Sequence, residues 1–253
     1  MMRSQENQVY MIPGLHGVRE ALLDNRARIA ELWISERKDS ARIKEIIDMA
    51  EIKSVPVFYK SAYIMDDIMP GTVHQGIIAI ALEYSYLELD GLIRASLDAT
   101  GYAILIAADH VTDEGNLGAI IRTAVFFGAH GLILPKDRSA KITHNVMKRS
   151  AGAYIHLPIA RVVNLVRALD ALNEKGFWII GTAGESTESI YNFDWKRNLV
   201  LVLGSEDRGL SPSVRNKCHQ IVGIPSAGRL DALNVSVAAG VILSEIVHQQ
   251  SNP

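Results

Sequence analysis

Hydrophobic and polar positions along the chain fall into two alternating patterns with a break between them. In the first, a helical stretch over residues 16–25 leads into an apolar run at 29–35 that reads as a strand. A second helix at 41–51 precedes the strand-like run 55–59, and a short helix at 62–69 gives way to a β-branched and apolar run at 76–82. Helix and strand alternate on a short period, which predicts a small α/β domain over residues 1–82. Residues 83–98 are acidic and lack strand-like runs, apart from a helical turn or two at 89–97, and read as a linker.

Beyond the linker the apolar runs lengthen and alternate less. Those at 102–108, 131–134, 177–182, 199–203 and 221–224 look like strands buried on both faces. Helical segments fill the gaps at 117–127, 143–150, 163–175 and 212–217, and a last one covers 235–249. Buried strands joined by helical crossovers predict a parallel sheet over residues 99–253, with its ligand at the carboxyl ends of the strands. Two glycine-rich turns, Gly181-Thr-Ala-Gly184 and Gly204-Ser-Glu-Asp-Arg-Gly209, sit at such ends. Neither is a Walker A loop or a Gly-x-Gly-x-x-Gly fingerprint.

Composition narrows the class. The chain has 253 residues, 48% of them hydrophobic, enough for one large core or two smaller ones. Its longest apolar run is far short of the roughly 20 residues that cross a bilayer. Residues 1–7 are polar and lack the apolar stretch of a secretory signal, so a soluble, cytoplasmic protein is expected. The single cysteine, Cys218, allows no intrachain disulfide and no cysteine cluster for zinc, and no metal is expected. A net charge of −2 does not advertise a nucleic-acid binder. Locally, however, Lys136, Arg138, Lys141, Lys148 and Arg149 stand against one acid, Asp137. This run is either a solvated helix face or an edge that contacts RNA phosphates.

Three constellations carry candidate chemistry. In Asp113-Glu-Gly-Asn-Leu-Gly-Ala-Ile-Ile-Arg-Thr-Ala124, Asn116 reads as a helix N-cap, and Arg122 stands above the small residues Gly118 and Ala119. In Leu203-Gly-Ser-Glu-Asp-Arg-Gly-Leu210, glycines on either side let the backbone approach a ligand while Glu206 faces the site. Ser211 and Pro212 then read as a cap with proline at the first helical position. In Ile224-Pro-Ser-Ala-Gly-Arg-Leu-Asp-Ala-Leu-Asn-Val-Ser-Val-Ala239, Asn234 reads as the cap of the last helix with Ser236 in its first turn. Their side chains converge only if Asn234 lies outside the helix. Ser236, Gly240 and Ser244 recur every four residues as a small-residue strip, open to another helix or to the chain's own sheet. Taken singly, each constellation is equally well an ordinary capped helix or turn.

Together, their order and wording resemble the signature motifs of the SpoU/TrmH class of knotted methyltransferases. Gly14-Leu-His-Gly-Val-Arg-Glu-Ala-Leu22 and Val73-His-Gln-Gly-Ile77 are similar to that family's RNA-recruiting domain, a small ribosomal-protein fold. Pro135-Lys-Asp-Arg-Ser-Ala140 and Gly181-Thr-Ala-Gly-Glu185 look most like the branch that modifies guanosine of 23S rRNA. The resemblance implies a C-terminal domain with a deep trefoil knot, a homodimer, and S-adenosylmethionine as methyl donor. Mapped onto this chain, it places the cofactor against Thr182, Gly184, Leu203, Gly204, Glu206, Gly209, Ile224, Pro225, Leu233 and Ser236. Catalysis falls to Arg122, Glu206, Asn116, Asn234 and Ser236. One departure is visible: the serine that often precedes Leu233 in the family is Ala232 here.

The family assigns proton removal from the ribose hydroxyl to the motif arginine, here Arg122. A guanidinium gives up its proton poorly, so two readings stand. Either Glu206 and Asn116 hold Arg122 where it acts as base, or Arg122 clamps a phosphate, and that phosphate or Glu206 takes the proton. Two rival functions also stand: a tRNA-specific methyltransferase, and a non-catalytic RNA-binding or assembly factor that keeps the fold.

Overall fold

The structure, a computed structural model, describes residues 9–23, 29–36, 39–81, 84–229 and 232–251. The first helix and the linker begin or end beyond these bounds: residues 24–25 and Glu83 lie outside the described residues, as do 1–7. The chain divides into two compact units.

The first unit takes in the chain up to Ser85 together with Ile142–Ile155. Its elements before Ser85 are β1 (Tyr10–Pro13), α1 (Leu15–Leu23), β2 (Ile29–Ser35), α2 (Ala41–Ile52), β3 (Val57–Lys60), α3 (Ala62–Ile68) and β4 (Ile77–Ala81). The sheet order is β1-β4-β2-β3, with β4 antiparallel to β1 and β2, and β3 parallel to β2 at an edge. All five residues of β4 are buried, as a central strand covered on both faces requires. Ser40 and Ser61 start α2 and α3 by accepting hydrogen bonds from the amides of Ile43 and Ile64. These strand directions bring the C-terminal ends of β1, β2 and β3 and the start of β4 onto one rim. Backbone bonds run along it: Gly14 N to Ile77 O (3.0 Å), Ser35 N to Gly76 O (2.9 Å) and Glu36 N to Lys60 O (3.1 Å).

The second unit comprises Tyr86–Lys141 and His156–Pro253. It begins with α4 (Leu89–Leu97), β5 (Ile104–Ala108), α5 (Glu114–Phe126) and β6 (Gly131–Pro135). The next helix, α6 (His144–Arg149), groups with the first unit, where it packs against β1. The second unit resumes with β7 (Ile159–Val162), α7 (Leu165–Glu174), β8 (Trp178–Thr182), β9 (Leu199–Leu203), α8 (Pro212–Arg215), β10 (Gln220–Val222) and α9 (Val235–Ser251). Its six strands are all parallel, in the order β10-β8-β9-β5-β6-β7. The two central strands, β9 and β5, are buried at every position. On one face Leu165, Leu169 and Leu172 of α7 pack with Phe177 and the inward side chains of β5, β8 and β9.

The expected parallel sheet and small α/β domain are present, with β1 and β7 added. Both are four-residue edge strands, and β1 ends in a proline. Short edge strands carry little of the apolar run that betrays a central strand.

Candidate active site

Because β10, β8, β9 and β5 are parallel neighbours, the loops after them emerge along one edge of the sheet. All three sequence constellations lie in or just beyond those loops.

After β5 the chain turns through His110, at φ +61, into α5. Asp113, not Asn116, caps this helix: its carboxylate accepts from Asn116 N at 2.7 Å. The cap reading of Asn116 is therefore corrected. The signal was present in Asp113 followed by Glu114, two acids where a helix N-terminus favours them. Relieved of capping, the Asn116 side chain reaches sideways out of the first turn.

After β9 the chain makes a tight loop in which Ser205 and Gly209 exchange backbone hydrogen bonds of 3.1 and 2.9 Å. A Cβ on Gly204 would lie 2.3 Å from the Gly209 carbonyl carbon and 2.5 Å from Leu210 N, so this closure admits only glycine. Gly209 has φ +62, which glycine adopts without strain. Glu206 is held at the tip. After β10, Asn234 lies just outside α9 and caps it, its Oδ1 accepting from Ser236 N (2.9 Å), Ser236 Oγ (2.6 Å) and Val237 N (3.4 Å).

The three loops meet. Asn116 Nδ2 donates to Glu206 Oε1 at 3.1 Å, and Asn234 Nδ2 donates both to Asn116 Oδ1 at 2.9 Å and to Glu206 Oε1. Val235 N reaches the same carboxylate oxygen at 3.4 Å. One oxygen thus organises residues 28 to 118 positions apart in sequence. Oε1 is occupied by these donors, whereas Oε2 has no hydrogen-bond partner among the described residues.

Arg122 stands apart. It lies six residues beyond Asn116 on α5, a rise of about 9 Å, and it is exposed. Its guanidinium makes no hydrogen bond or ion pair among the described residues. Within this chain Glu206 and Asn116 hold each other rather than Arg122.

Asp109 went unnoticed in the sequence. Only 2% exposed, it ties the β5 loop to the β9 loop: its N donates to Leu203 O at 2.8 Å, and its Oδ2 accepts from Ser211 N at 2.7 Å. Its Oδ1 lies 2.6 Å from His110 Nδ1. Ser211 precedes Pro212 at the start of α8 as expected, but its side chain makes no capping bond. An acid ending a wholly apolar strand was the available signal, since buried carboxylates need partners.

The expected cofactor residues lie at or beyond the ends of β8, β9 and β10. Thr182 ends β8 and donates to Val202 O at 3.1 Å, and Gly184 is exposed just beyond it. Arg215 Nη1 reaches Glu185 Oε1 at 2.7 Å, bracing this loop against α8. A hydrogen bond from its own backbone amide, then the Arg215 bond, hold the Glu185 carboxyl below the usual range. Leu203 and Gly204 are buried, Ile224 and Ser236 are half-buried, and Pro225 and Leu233 are exposed. A backbone-lined wall with an exposed leucine, 47% accessible, suits an amphipathic nucleoside ligand.

The five basic residues are all exposed but divide between the units. Lys136, Arg138 and Lys141 belong with the second unit, Lys148 and Arg149 with α6 in the first. In the first unit the two RNA-type motifs meet on the rim, where Leu15 N donates to Gln75 Oε1 at 3.2 Å. His74 is buried, bound to Asp66 Oδ1 at 2.8 Å and accepting from Gly76 N at 3.1 Å, so it shapes this loop from within. Among the described residues no group of three or more His, Cys, Asp or Glu is placed to hold a metal, and no helix is long and apolar enough to cross a membrane.

The chain is 38% identical over 244 residues to the 23S rRNA (guanosine-2′-O-)-methyltransferase RlmB of Escherichia coli, covering 95% of this chain and 99% of that one. It is 36% identical over 240 residues to the putative TrmH family tRNA/rRNA methyltransferase YacO of Bacillus subtilis, covering 95% of each. The AdoMet-bound rRNA methyltransferase of Sinorhizobium meliloti superposes with a TM-score of 0.80 at 25% identity, over 95% of this chain and 87% of that one. Residues 11–87 match the family of RNA 2′-O ribose methyltransferase substrate-binding domains, and residues 103–244 match the SpoU rRNA methylases. The chain is a member of the SpoU rRNA methylase family.

Proposed function

We propose that this protein transfers a methyl group from S-adenosylmethionine to the ribose 2′-hydroxyl of a guanosine in 23S rRNA. The observation that carries the reading is the Asn116–Glu206–Asn234–Ser236 network at the edge where the loops after β5, β9 and β10 meet. It is supported by likeness to a 23S rRNA guanosine methyltransferase over nearly the whole chain.

The loops after β8, β9 and β10 would hold the cofactor, with Leu233 and Ser236 beside it. When bound, it supplies an electrophilic methyl group. The chain's own task is to bring the ribose oxygen into line with that methyl and to remove the hydroxyl proton. Glu206 positions Asn116 and Asn234 through Oε1. Arg122, exposed and without a hydrogen-bond or ion-pair partner among the described residues, is suited to clamp an RNA phosphate beside the target ribose. That phosphate or the Glu206 carboxylate then takes the proton.

We further read the protein as a cytoplasmic homodimer whose methylase domain, residues 99–253, contains a trefoil knot. Residues 1–82 recruit the RNA, residues 83–98 join the two domains, and the basic residues from Lys136 to Arg149 hold the RNA backbone. RNA is read chiefly through single-stranded loops and 2′-hydroxyls, so the target is a loop guanosine. Mapping ribose methylation in rRNA and tRNA from a strain lacking the gene tests this. One 23S guanosine mark should vanish and return on complementation. Loss of a tRNA mark with every 23S mark intact would overturn the substrate and leave the chemistry standing.

A further inference from the structure

The first unit carries an aromatic surface that none of the motifs explains. Trp33 on β2 and Phe58 on β3 are register partners, so their side chains share one face of the sheet. Lys60, two residues beyond Phe58, shares that face and places Nζ 5.1 Å from the Trp33 ring centre and 5.7 Å from that of Phe58. Phe58 is 44% exposed although it lies in a strand, and Tyr63, three residues past Lys60 in the first turn of α3, is 79% exposed. Toward the centre of the sheet the same face is covered by α3. There Met65 and Met69 pack with Ile78 and Ile80, and Trp33 borders them.

Position gives this surface its meaning. Lys60 ends β3 on the same rim where Gly14, Gly76 and Ser35 are joined, through the bond from Glu36 N to Lys60 O. The Gly14 and Gln75 motifs of the substrate-binding domain and the Phe58–Tyr63 segment are therefore parts of one continuous rim. Its charge is mixed: Lys60 is accompanied by Asp66 and Asp67 on α3 and by Glu31, which accepts from Trp33 Nε1 at 2.8 Å. Such a surface is poorly made to follow a phosphate backbone by charge. It is well made to receive bases, because every base has a π-face that stacks on an aromatic ring, with a cation at its margin.

We propose that Phe58 and Tyr63, with Lys60 between them, form a stacking platform for unpaired nucleobases of the RNA. The proposal rests on the RNA-methylating reading above and names where the recruiting domain takes hold of single-stranded substrate. Binding through it should depend weakly on salt, since few counterions are released.

The test uses the full-length protein and two fluorescein-labelled RNAs, a hairpin with an unpaired guanosine-containing loop and the same stem as a blunt duplex. Phe58→Ala and Tyr63→Ala should each weaken hairpin binding at least about 5-fold, the low end for losing one stacked base. Duplex affinity and the salt slope should stay as in wild type, and Tyr63→Phe should restore binding. Hairpin affinity within 2-fold of wild type in both alanine variants, with unchanged circular dichroism, would overturn the platform. So would a change in oligomeric state without loss of RNA affinity, which would make the face a protein contact. Methyl transfer to total rRNA is measured alongside. Absence of activity in the wild type would strike the functional reading, whereas the platform stands or falls on the binding data.

Discussion

Asn234 and Arg122 stand at or on neighbouring helices, α9 and α5, which pack together, yet their surroundings are opposite. Asn234 uses both ends of its amide: Oδ1 caps α9, and Nδ2 binds Asn116 and Glu206. Arg122 binds nothing among the described residues. The first is a scaffold satisfied before any ligand arrives. The second is a cation with no counter-charge bound among the described residues. Preorganised groups act without reorganising during a reaction, and an unpaired guanidinium is suited to meet a phosphate bidentately.

The sharpest way to break this contrast is Arg122→Ala. Methyl transfer should fall at least about 100-fold, the loss typical of removing a charge-stabilising group. Thermal stability should not move, because no hydrogen bond or ion pair among the described residues is lost, and calorimetry should find cofactor affinity within a few-fold. Turnover above about a tenth of wild type would remove Arg122 from the mechanism.

Next comes the wall on which the cofactor would lie. Gly204→Ala puts a methyl group 2.3 Å from the Gly209 carbonyl carbon, and backbone cannot swing aside as a side chain can. The loop must re-form, at a cost of about 1–3 kcal/mol. Titration calorimetry should show S-adenosylmethionine affinity down about 10-fold, which at 1.4 kcal/mol falls inside that range. An alanine variant that binds as wild type would show that the β9 loop is not the cofactor wall.

Glu206→Gln probes the scaffold side. Glutamine can present an oxygen to Asn116 and Asn234, but it brings an NH2 group where the carboxylate had a second acceptor. With the cluster partly open to solvent, the loss of stability should be about 1 kcal/mol. It should appear as a small drop in Tm, and methyl transfer should fall more steeply than folding does. Equal losses in both would reduce Glu206 to a fold-holding residue.

This comparison also separates what the chain reveals in advance from what it conceals. Strands such as 199–203 are legible because a strand buried on both faces must be apolar at every position. The edge strands β1 and β7 are not, since Arg161 can sit in β7 with its guanidinium directed to Lys136 O. The candidate site's residues stand in motifs that the sequence displays, but their geometry was not legible there. Asn116, Glu206 and Asn234 converge through strand order, and neither 28 nor 118 residues of separation carries that information. Asp109 could be read only as an acid closing an apolar strand, and nothing in the sequence names Leu203 and Ser211 as its partners. The grouping of α6 with the first unit was equally invisible, because periodicity describes a segment and not what it packs against.

The smallest effect concerns the contact between the two helices themselves. The strip Ser236, Gly240, Ser244 invites close approach, and at Gly240 the structure places Thr123 of α5 from the same chain. A Cβ on Gly240 would lie 3.5 Å from Thr123 Cγ2, which is ordinary van der Waals contact. Alanine therefore fits, and it removes the entropy penalty of glycine in a helix, about 0.5–1 kcal/mol. Gly240→Ala should raise Tm by about 1–3 °C in a chain of this size. Leucine at the same place adds bulk that Thr123 cannot yield to, and should cost about 1–3 kcal/mol. A fall in Tm with alanine would mean that something approaches Gly240 more closely than Thr123 does. In a homodimer the candidate is the partner's helix. Light scattering on the alanine variant then decides: a weakened dimer would place the subunit interface on this strip, beside the Asn234 scaffold.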